Sequence, residues 1–275
     1  MLSEAINKHP SALKRIFEKV LKLPKDKLED LADILDQADI GRILEATQLS
    51  IGRLSFLDGL NTLIFNKEYA NLLCENHHLH AMLERESWVF GEEYSLAASE
   101  VTLTTLLKRH LPKLRPDEDI IEVKSTTGKS LRIDMLLGCE IGTGSKENKE
   151  FLVVELKRPN VVIGLKEQNQ IQEYAHAVSE DPQFDKKNTK WIFILVSRDL
   201  HPIIERSVNQ DHLPPGYFQV DSNLKIGAMT WGQIITRSRS RLQWYRDAIS
   251  FDLNESQSLD YMRKKYSEYL PTALK

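Results

Sequence analysis

Hydrophobic residues in the first 65 or so positions recur at helical spacing. Leu28, Leu31 and Leu35 are separated by charged residues, which is the pattern of an amphipathic helix. The stretch LSFLDGLNTLIF repeats this pattern further along the chain. We therefore predict an N-terminal helical segment over residues 1–66, with no visible chemistry of its own.

A second helical region is predicted in EYANLLCENHHLHAMLERESWVFG, where Gly91 marks the end. Its apolar stripe consists of Leu72, Leu79, Met82 and Leu83. The stretch SLAASEVTLTTLLKRHL predicts a further helix, which Pro112 ends.

The pattern becomes that of β-strands after Pro112. DIIEVKSTTGKSLRIDMLLGCEI contains two β-rich runs separated by STTGKS, a glycine-bearing turn, and predicts a hairpin. FLVVELK predicts a third strand, which Pro159 closes because proline cannot donate to a ladder. A helix over about GLKEQNQIQEYAHAVSE and a continuously apolar strand, WIFILVSR, come next. The predicted order is helix, three-strand meander, helix, strand.

The C-terminal part predicts a short fifth strand and two helices. YFQV is the strand, WGQIITRSRSRLQWYRDAISF the first helix and SLDYMRKKYSEYL the closing helix. The predicted fold class is therefore α/β, with an N-terminal helical segment and C-terminal helices. Residues 67–275 are predicted to form one domain.

Composition narrows the class of protein. Over 275 residues the chain is 41% hydrophobic and 28% charged, which is typical of a globular protein. Its apolar runs all fall well short of the roughly 18 residues that a membrane span needs. The net charge of −3 leaves only a local patch as a surface for nucleic acid. Two cysteines and the absence of a signal-peptide pattern predict a cytoplasmic protein without a membrane partner.

Charged residues interrupt the third strand at its end. Side chains alternate between the faces of a strand, so Val153, Glu155 and Lys157 share one face. In the preceding strand Asp134 interrupts a similar apolar run. Antiparallel pairing of the two strands would bring Asp134 beside Glu155.

Two carboxylates and an ammonium at one edge of a sheet suggest metal-assisted phosphodiester hydrolysis. Carboxylate oxygens bind a hard cation such as Mg²⁺, which keeps several waters. Lys157 could stabilise the developing charge or orient the attacking water. The alternative is a mutual ion pair of Glu155 and Lys157 at a strand end.

The following helix adds Gln170 and Tyr174, which lie on one face because they are four residues apart. They could support the site or contact a phosphate backbone. The alternative is a tyrosine packed in the core beside a solvated glutamine.

The order of Asp134, Glu155-x-Lys157 and the QxxxY of Gln170 resembles the PD-(D/E)XK nuclease superfamily. NHHLHAMLERESWVFGEEYSL, LRIDMLL, VVELKRPN and QIQEYAHAV, within residues 68–200, are similar to the nuclease domain of the Shedu family of bacterial anti-phage defence proteins. The resemblance implies a restriction-endonuclease-like core and a DNA endonuclease that uses Mg²⁺ or Mn²⁺. It also implies a homo-oligomer, a dimer or tetramer. Ile133 stands where the proline of the superfamily name is expected.

The resemblance implies metal ligands at Asp134 and Glu155, and members often add an acidic residue from the first core helix. Glu75 is our candidate for that additional catalytic and metal-binding residue. The competing carboxylates are Glu84, Glu92 and Glu93. The alternative for each is a solvated carboxylate on a helix or loop.

Three histidines, His77, His78 and His80, raise the question of a zinc site. A helical zinc pair has histidines at i and i+4, and these are at i, i+1 and i+3. Polar surface or packing is the better interpretation.

Basic residues in the predicted helix over WGQIITRSRSRLQWYRDAISF are candidates for binding the DNA backbone. Arg237 and Arg241 align at i and i+4, and Arg246 continues the row. Such a row neutralises phosphates without reading base sequence. The alternative is a solvated helix face or an oligomer interface.

Two functional hypotheses follow. The first is a divalent-metal-dependent DNA endonuclease in bacterial anti-phage defence, in which Asp134, Glu155, Lys157, Gln170 and Glu75 form the active site. The second is a non-catalytic nucleic-acid-binding or oligomerisation module on a nuclease-like fold. RNA and branched or free-ended DNA remain open as substrates, because the chemistry is shared and surface shape selects among them.

Overall fold

The computed structural model describes residues 9–102, 132–140, 149–180, 189–249 and 254–275. Contacts divide the chain into two compact units, Met1–Gly52 and Arg53–Lys275. The predicted domain boundary after residue 66 stays a prediction, since compactness alone does not show which part folds independently.

The described part of the N-terminal region is helical. Its helices are α1 Pro10–Val20, α2 Lys25–Gln37 and α3 Ile40–Phe65. Proline suits the first position of α1 because its missing N–H has no partner there anyway. The helical prediction for residues 1–66 is confirmed from the start of α1 onwards.

The second predicted helical region is broken into short pieces. They are α4 Lys67–Leu72, a π-helix Glu75–His80, α5 Ala81–Leu83 and a 3-10 helix Ser87–Val89. The break lies at Cys74, whose N–H donates to Nδ1 of His78 at 2.8 Å. The backbone N–H of Leu79 then reaches the Cys74 carbonyl at 3.3 Å, five residues back. The continuous helix predicted here is therefore wrong, because a histidine side chain and a wider turn satisfy the backbone.

A mixed sheet of six strands forms the centre of the second unit, counted over the described residues. In chain order the strands of both sheets are β1 Ser95–Thr102, β2 Arg132–Glu140, β3 Lys149–Leu156, β4 Val162–Ile163, β5 Thr189–Ser197, β6 Asp199–Leu200, β7 Tyr217–Val220 and β8 Leu224–Thr230. The large sheet has the order β1-β2-β3-β5-β8-β7, and β4 pairs with β6. Strands β1, β2 and β3 are antiparallel neighbours, whereas β3, β5 and β8 are parallel. The predicted α/β class is confirmed.

Four further helices are seen in the described residues of the second unit. They are α6 Leu165–Glu180, α7 Pro202–Val208, α8 Trp231–Ile249 and α9 Glu255–Tyr266, with 3-10 turns at Ser267–Tyr269 and Thr272–Leu274. Helix α6 connects the parallel strands β3 and β5, as a parallel pair requires. The predictions of α6, α8 and α9 are confirmed. No helix in the described ranges is both long and apolar enough to cross a membrane.

Residues 95–102 form a strand where the sequence pattern predicted a helix. Residues 95–102, predicted as the start of a helix, form β1, which pairs with β2 from Ser95 opposite Gly138 to Thr102 opposite Arg132. The ladder satisfies the backbone of a stretch that ends in two β-branched residues, Val101 and Thr102. Pro112, the first strand of the predicted hairpin and its STTGKS turn lie outside the described residues.

The two faces of the sheet carry different hydrophobic clusters. Val153 of β3 and Phe193 of β5 pack with Ile171 and Ala175 of α6 in one cluster. Alternate residues of the same strands, such as Leu152, Val154, Ile192 and Ile194, belong to the other cluster, with the helices before β1 and with α8 and α9. Strands β3 and β5 are thus buried on both faces, which is typical of parallel strands.

Candidate active site

Asp134 and Glu155 lie at facing positions of the neighbouring strands β2 and β3. In this antiparallel pair Met135 is opposite Val154, so the next facing positions are Asp134 and Glu155. The Leu156 N–H donates to Oδ2 of Asp134 at 2.8 Å, which fixes the aspartate against the end of β3. The antiparallel pairing predicted to bring these two residues together is confirmed.

The carboxylate of Glu155 is buried and hydrogen-bonded. The residue is only 3% exposed. Lys157 Nζ and Gln170 Nε2 each donate to its Oε1 at 2.8 Å. Lys157 Nζ also donates to Oε1 of Gln170 at 3.2 Å, closing a three-membered network. Burial of the two charges is offset by their mutual attraction and by the amide.

Tyr174 extends this network one turn further along α6. Gln170 Nε2 lies 2.9 Å from the Tyr174 hydroxyl oxygen. Burial raises the pKa of Tyr174 far above its usual value, and the Glu155 carboxylate raises it further. Asp134 acts in the same direction, whereas the hydrogen bond with Gln170 lowers the pKa in part. Tyr174 is therefore a neutral hydroxyl at physiological pH.

The same contacts decide between the interpretations of QxxxY. Tyr174 does pack in the core cluster beneath α6, as the structural alternative predicts. Gln170 is half-buried and bonded to three polar side chains, which the same alternative did not anticipate. One helix face thus serves the core and the charged site together.

The backbone around the site is held by the parallel partner strand. The Lys157 N–H donates to the Val196 carbonyl at 2.8 Å, so pairing with β5 continues past the end of β3. The Ser197 hydroxyl then donates to the carbonyl of Arg158 at 3.2 Å and also contacts that of Val161. These contacts hold the turn of the chain around Pro159, directly after the Glu155–Lys157 end of β3.

The donor set suits a hard cation that keeps most of its waters. Two carboxylates meet at this edge, and Mg²⁺ in proteins is commonly bound by one or two carboxylates together with water and substrate oxygens. Among the described residues no group of three or more His, Cys, Asp or Glu side chains could hold a metal. A fully protein-ligated metal centre, such as structural zinc, is therefore not what these residues offer.

Glu75 begins the π-helix, which lies against β2, the strand of Asp134. Its side chain lies outside what the structure describes. Of its competitors, Glu84 lies 3.6 Å from His80 Nε2, and Glu92 accepts from Arg53 at 2.6 Å. Glu93 is exposed. The assignment of Glu75 as a ligand stays a prediction.

The three histidines of the zinc question have different surroundings. His80 is buried, His77 is exposed, and His78 is the acceptor for the Cys74 N–H. Burial lowers the pKa of His78, and the neighbouring His77 and Lys275 lower it further. Packing and a helix cap account for the two buried or half-buried imidazoles.

The arginines proposed for the DNA backbone lie on α8. Arg237 donates to the Pro215 carbonyl at 3.2 Å, and Arg241 donates to the Trp88 and Val89 carbonyls at 2.9 and 3.1 Å. Arg246 is half-buried near the C-terminal end of the helix. A role of the three in DNA binding stays a prediction.

Sequence reasoning missed a groove beyond the carboxyl ends of β3 and β5. It has a volume of about 410 Å³ and is lined by Phe65, Lys67, Asn71, Asn160, Arg198 and Asp199. Asn160 Nδ2 donates to Oδ1 of Asn71 at 2.7 Å across it. Ligands of open α/β sheets bind outside such strand ends. The available signal was the position of Asn160 shortly after the predicted strand FLVVELK and of Arg198 at the end of the predicted strand WIFILVSR.

No protein-family model, curated protein or solved structure matches this chain.

Proposed function

We propose that this protein is a divalent-metal-dependent nuclease that hydrolyses phosphodiester bonds of DNA, using Mg²⁺ or Mn²⁺. The observation that carries the proposal is the meeting of Asp134, Glu155, Lys157 and Gln170 at one sheet edge. Lysine beside two carboxylates on neighbouring strands is the arrangement on which the resemblance to PD-(D/E)XK nucleases rests.

The topology supports the same proposal. Helical segments precede the antiparallel meander β1-β2-β3, which is followed by α6 and by β5 parallel to β3. This order is compatible with the restriction-endonuclease-like core that the proposal requires, with residues 95–102 taken as its first strand. Function within such a fold depends on the site, so the proposal rests on the charged residues.

The protein residues have separate roles in the proposed reaction. Asp134 and Glu155 would hold the metal ion, which would neutralise phosphate charge and make a water more acidic. Lys157 stabilises the negative charge that develops on the phosphate oxygens as water attacks phosphorus and the sugar oxygen leaves. Gln170 orients the Lys157 ammonium and the Glu155 carboxylate through its hydrogen bonds. The Tyr174 hydroxyl accepts a hydrogen bond from Gln170 Nε2 and so helps to fix the position of this amide.

The substrate would be held by positive charge near the strand ends. Lys67 and Arg198 line the groove beyond β3 and β5, where Arg198 also donates to Asp199 at 2.8 Å. We assign these two side chains to backbone phosphates, and Arg246, near the C-terminal end of α8, to a separate contact of the same kind. Such contacts bind without reading sequence. By the resemblance to Shedu proteins, we extend the proposal to a cytoplasmic homo-oligomer in bacterial anti-phage defence.

Plasmid nicking tests the active-site assignment. The parent, Glu155→Ala, Lys157→Ala and the exposed control Lys166→Ala are compared in Mg²⁺ and Mn²⁺, with folding checked by circular dichroism. We expect the parent and Lys166→Ala to nick DNA and the two site variants to be inactive. Cleavage by either site variant at the parental rate contradicts the assignment.

A second candidate function has one observation in its favour. Lys157 and Glu155 form a close ion pair, at 2.8 Å, in which each charge is balanced by the other. In a non-catalytic module that binds nucleic acid or assembles into oligomers, Glu155 and Lys157 would have only this structural role as an ion pair. Metal-independent DNA binding, with no cleavage of supercoiled, nicked, linear or single-stranded DNA or of RNA under any divalent ion, favours this function.

A further inference from the structure

A cavity lies on the face of the sheet opposite to Glu155. Its floor is formed by Leu152 of β3 and by Ile192 and Ile194 of β5, which alternate with the residues facing α6. Arg237 and Arg241 of α8 also line it. Its volume is about 220 Å³. An apolar cavity of about 150 Å³ holds benzene, so this one suits a single substituted ring.

Both arginines are held in place by neutral groups. Arg237 contacts Met229 Sδ at 3.0 Å and the Pro215 carbonyl. Arg241 donates from Nη2 to the Trp88 and Val89 carbonyls and to Ser238 Oγ. A guanidinium has five N–H donors, so donors on both side chains are left over for a ligand. Fixing them in advance lowers the entropy lost on binding.

Among the described contacts, Arg53 and Arg239 pair with Glu92 and Asp58, whereas the contacts of Arg237 and Arg241 are with carbonyls, a thioether and a hydroxyl. Burial lowers the pKa of Arg241, and the charge of Arg237 lowers it as well. The charges of Glu92 and Glu93 raise the pKa of Arg241 in part. Glu93 is exposed and is one of the residues that line the cavity. An anion between the two arginines would relieve their mutual repulsion.

Two tyrosines give the cavity flat apolar walls. Tyr94 and Tyr217 both line it, and both pack against the hydrophobic cluster on this face of the sheet. Burial raises the pKa of Tyr217, so its ring carries a neutral hydroxyl at physiological pH. Aromatic walls over an aliphatic floor favour a planar ligand body.

We infer that this cavity binds a small planar organic anion, with a carboxylate or phosphate between Arg237 and Arg241 and a single ring on the floor of Leu152, Ile192 and Ile194. The inference is independent of the proposed nuclease function. The cavity and the Asp134–Glu155 edge are on opposite faces of one sheet, so occupancy of one does not require the other.

Saturation-transfer NMR in EDTA tests the inference with four one-ring probes. They are benzoate, phenyl phosphate, benzyl alcohol and benzylamine. We expect saturable binding of at least one of the two anions, with a Kd at least about tenfold lower than that of the alcohol or amine, because hydrogen bonds between charged groups are stronger than those between neutral groups.

Three variants locate the binding. Arg237→Gln should raise the Kd of the bound anion at least about tenfold, whereas Arg206→Gln, an exposed arginine on α7, should leave it unchanged. Ile192→Phe fills the floor and should remove binding; if this variant does not fold, Arg237→Gln carries the test. Absence of anion binding, equal binding of benzyl alcohol, or an unchanged Kd in Arg237→Gln overturns the inference.

Discussion

Two glutamates, Glu86 and Glu155, are both buried and both paired with a lysine, but their other hydrogen-bond partners differ. Each is almost fully buried, at 8% and 3% exposure. Lys265 Nζ donates to Glu86 at 3.1 Å, as Lys157 Nζ does to Glu155 at 2.8 Å. Each also accepts from a neutral side chain. By burial and pairing alone the two sites look alike.

The neighbours distinguish them. Both oxygens of Glu86 are engaged, one by Trp88 Nε1 and the other by the Tyr266 hydroxyl and Lys265 of α9. Its partners therefore fasten the C-terminal helix to the core. Lys157 and Gln170 meet at one oxygen of Glu155, and a second carboxylate, Asp134, faces it across the strand pair. A buried Glu–Lys pair is thus no sign of chemistry by itself; the second carboxylate is.

Matched amide substitutions should separate the two glutamates most strongly in activity. Glu155→Gln keeps the size and one acceptor but loses the negative charge, and we expect DNA cleavage to fall at least about a hundredfold. Glu86→Gln should leave the cleavage rate per folded molecule unchanged. Timed plasmid nicking measures both rates, and equal losses in the two variants contradict the comparison.

Truncation of Glu86 should lower the stability of the protein. Glu86→Ala leaves the indole of Trp88 and the hydroxyl of Tyr266 buried without their acceptor, and we expect a loss of about 2 kcal/mol in unfolding free energy. Urea unfolding followed by tryptophan fluorescence measures it. The exposed Glu205→Ala on α7 serves as the control. A loss below about 0.5 kcal/mol shows that water or a rearrangement replaces the network.

Alkaline pH tests the tyrosine attached to each glutamate. Burial raises the pKa of both Tyr266 and Tyr174 above the unfolded value, and Glu86 and Glu155 raise them further. The folded state then holds these protons more tightly, so stability is complete below about pH 10 and falls as pH rises above it.

We expect each tyrosine to account for about 1 kcal/mol of the stability lost between pH 9 and pH 11. Tyr266→Phe and Tyr174→Phe should each reduce that loss, and the exposed Tyr245→Phe should not. Urea midpoints at the two pH values provide the measurement. An unaltered pH dependence in both buried-site variants shows that other groups cause the decline.

The two lysines should give the smallest difference. The Lys265 side chain is 50% exposed and that of Lys157 is 13% exposed. Solvent screens the Lys265 pair, so Lys265→Met should cost only about 0.5 kcal/mol. Lys157→Met should cost more, because it leaves Glu155 buried without its counter-charge. Denaturant unfolding of the two variants ranks them, and the reverse order contradicts the role of burial.

The site strand and its helix were predictable because their local patterns are strong. FLVVELK is an apolar run interrupted only at its end, and α6 has clear helical spacing before its buried tyrosine. Antiparallel pairing of β2 with β3 then placed Asp134 beside Glu155. These inferences need only strand alternation and one short-range pairing.

Other elements had no local signal. SLAASEVT has a weak pattern and becomes β1 through its ladder with β2. LKIGAMT, which contains a lysine and a glycine, was not predicted as a strand; it is β8, buried because it lies parallel to β5. Strand propensity depends on the neighbours across the sheet, and here those neighbours are distant in sequence.

The sequence by itself determined that Glu155 and Lys157 share one strand face and that Gln170 and Tyr174 share one helix face, since strand and helix periodicity follow from chain geometry. Only the tertiary structure decided that the amide of Gln170 reaches both charges, that Glu86 is fastened to α9, and that Arg237 and Arg241 line a cavity. Periodicity assigns a side chain to a face. The partner across that face is set by how segments distant in sequence pack together. Local spacing carries no information about that packing.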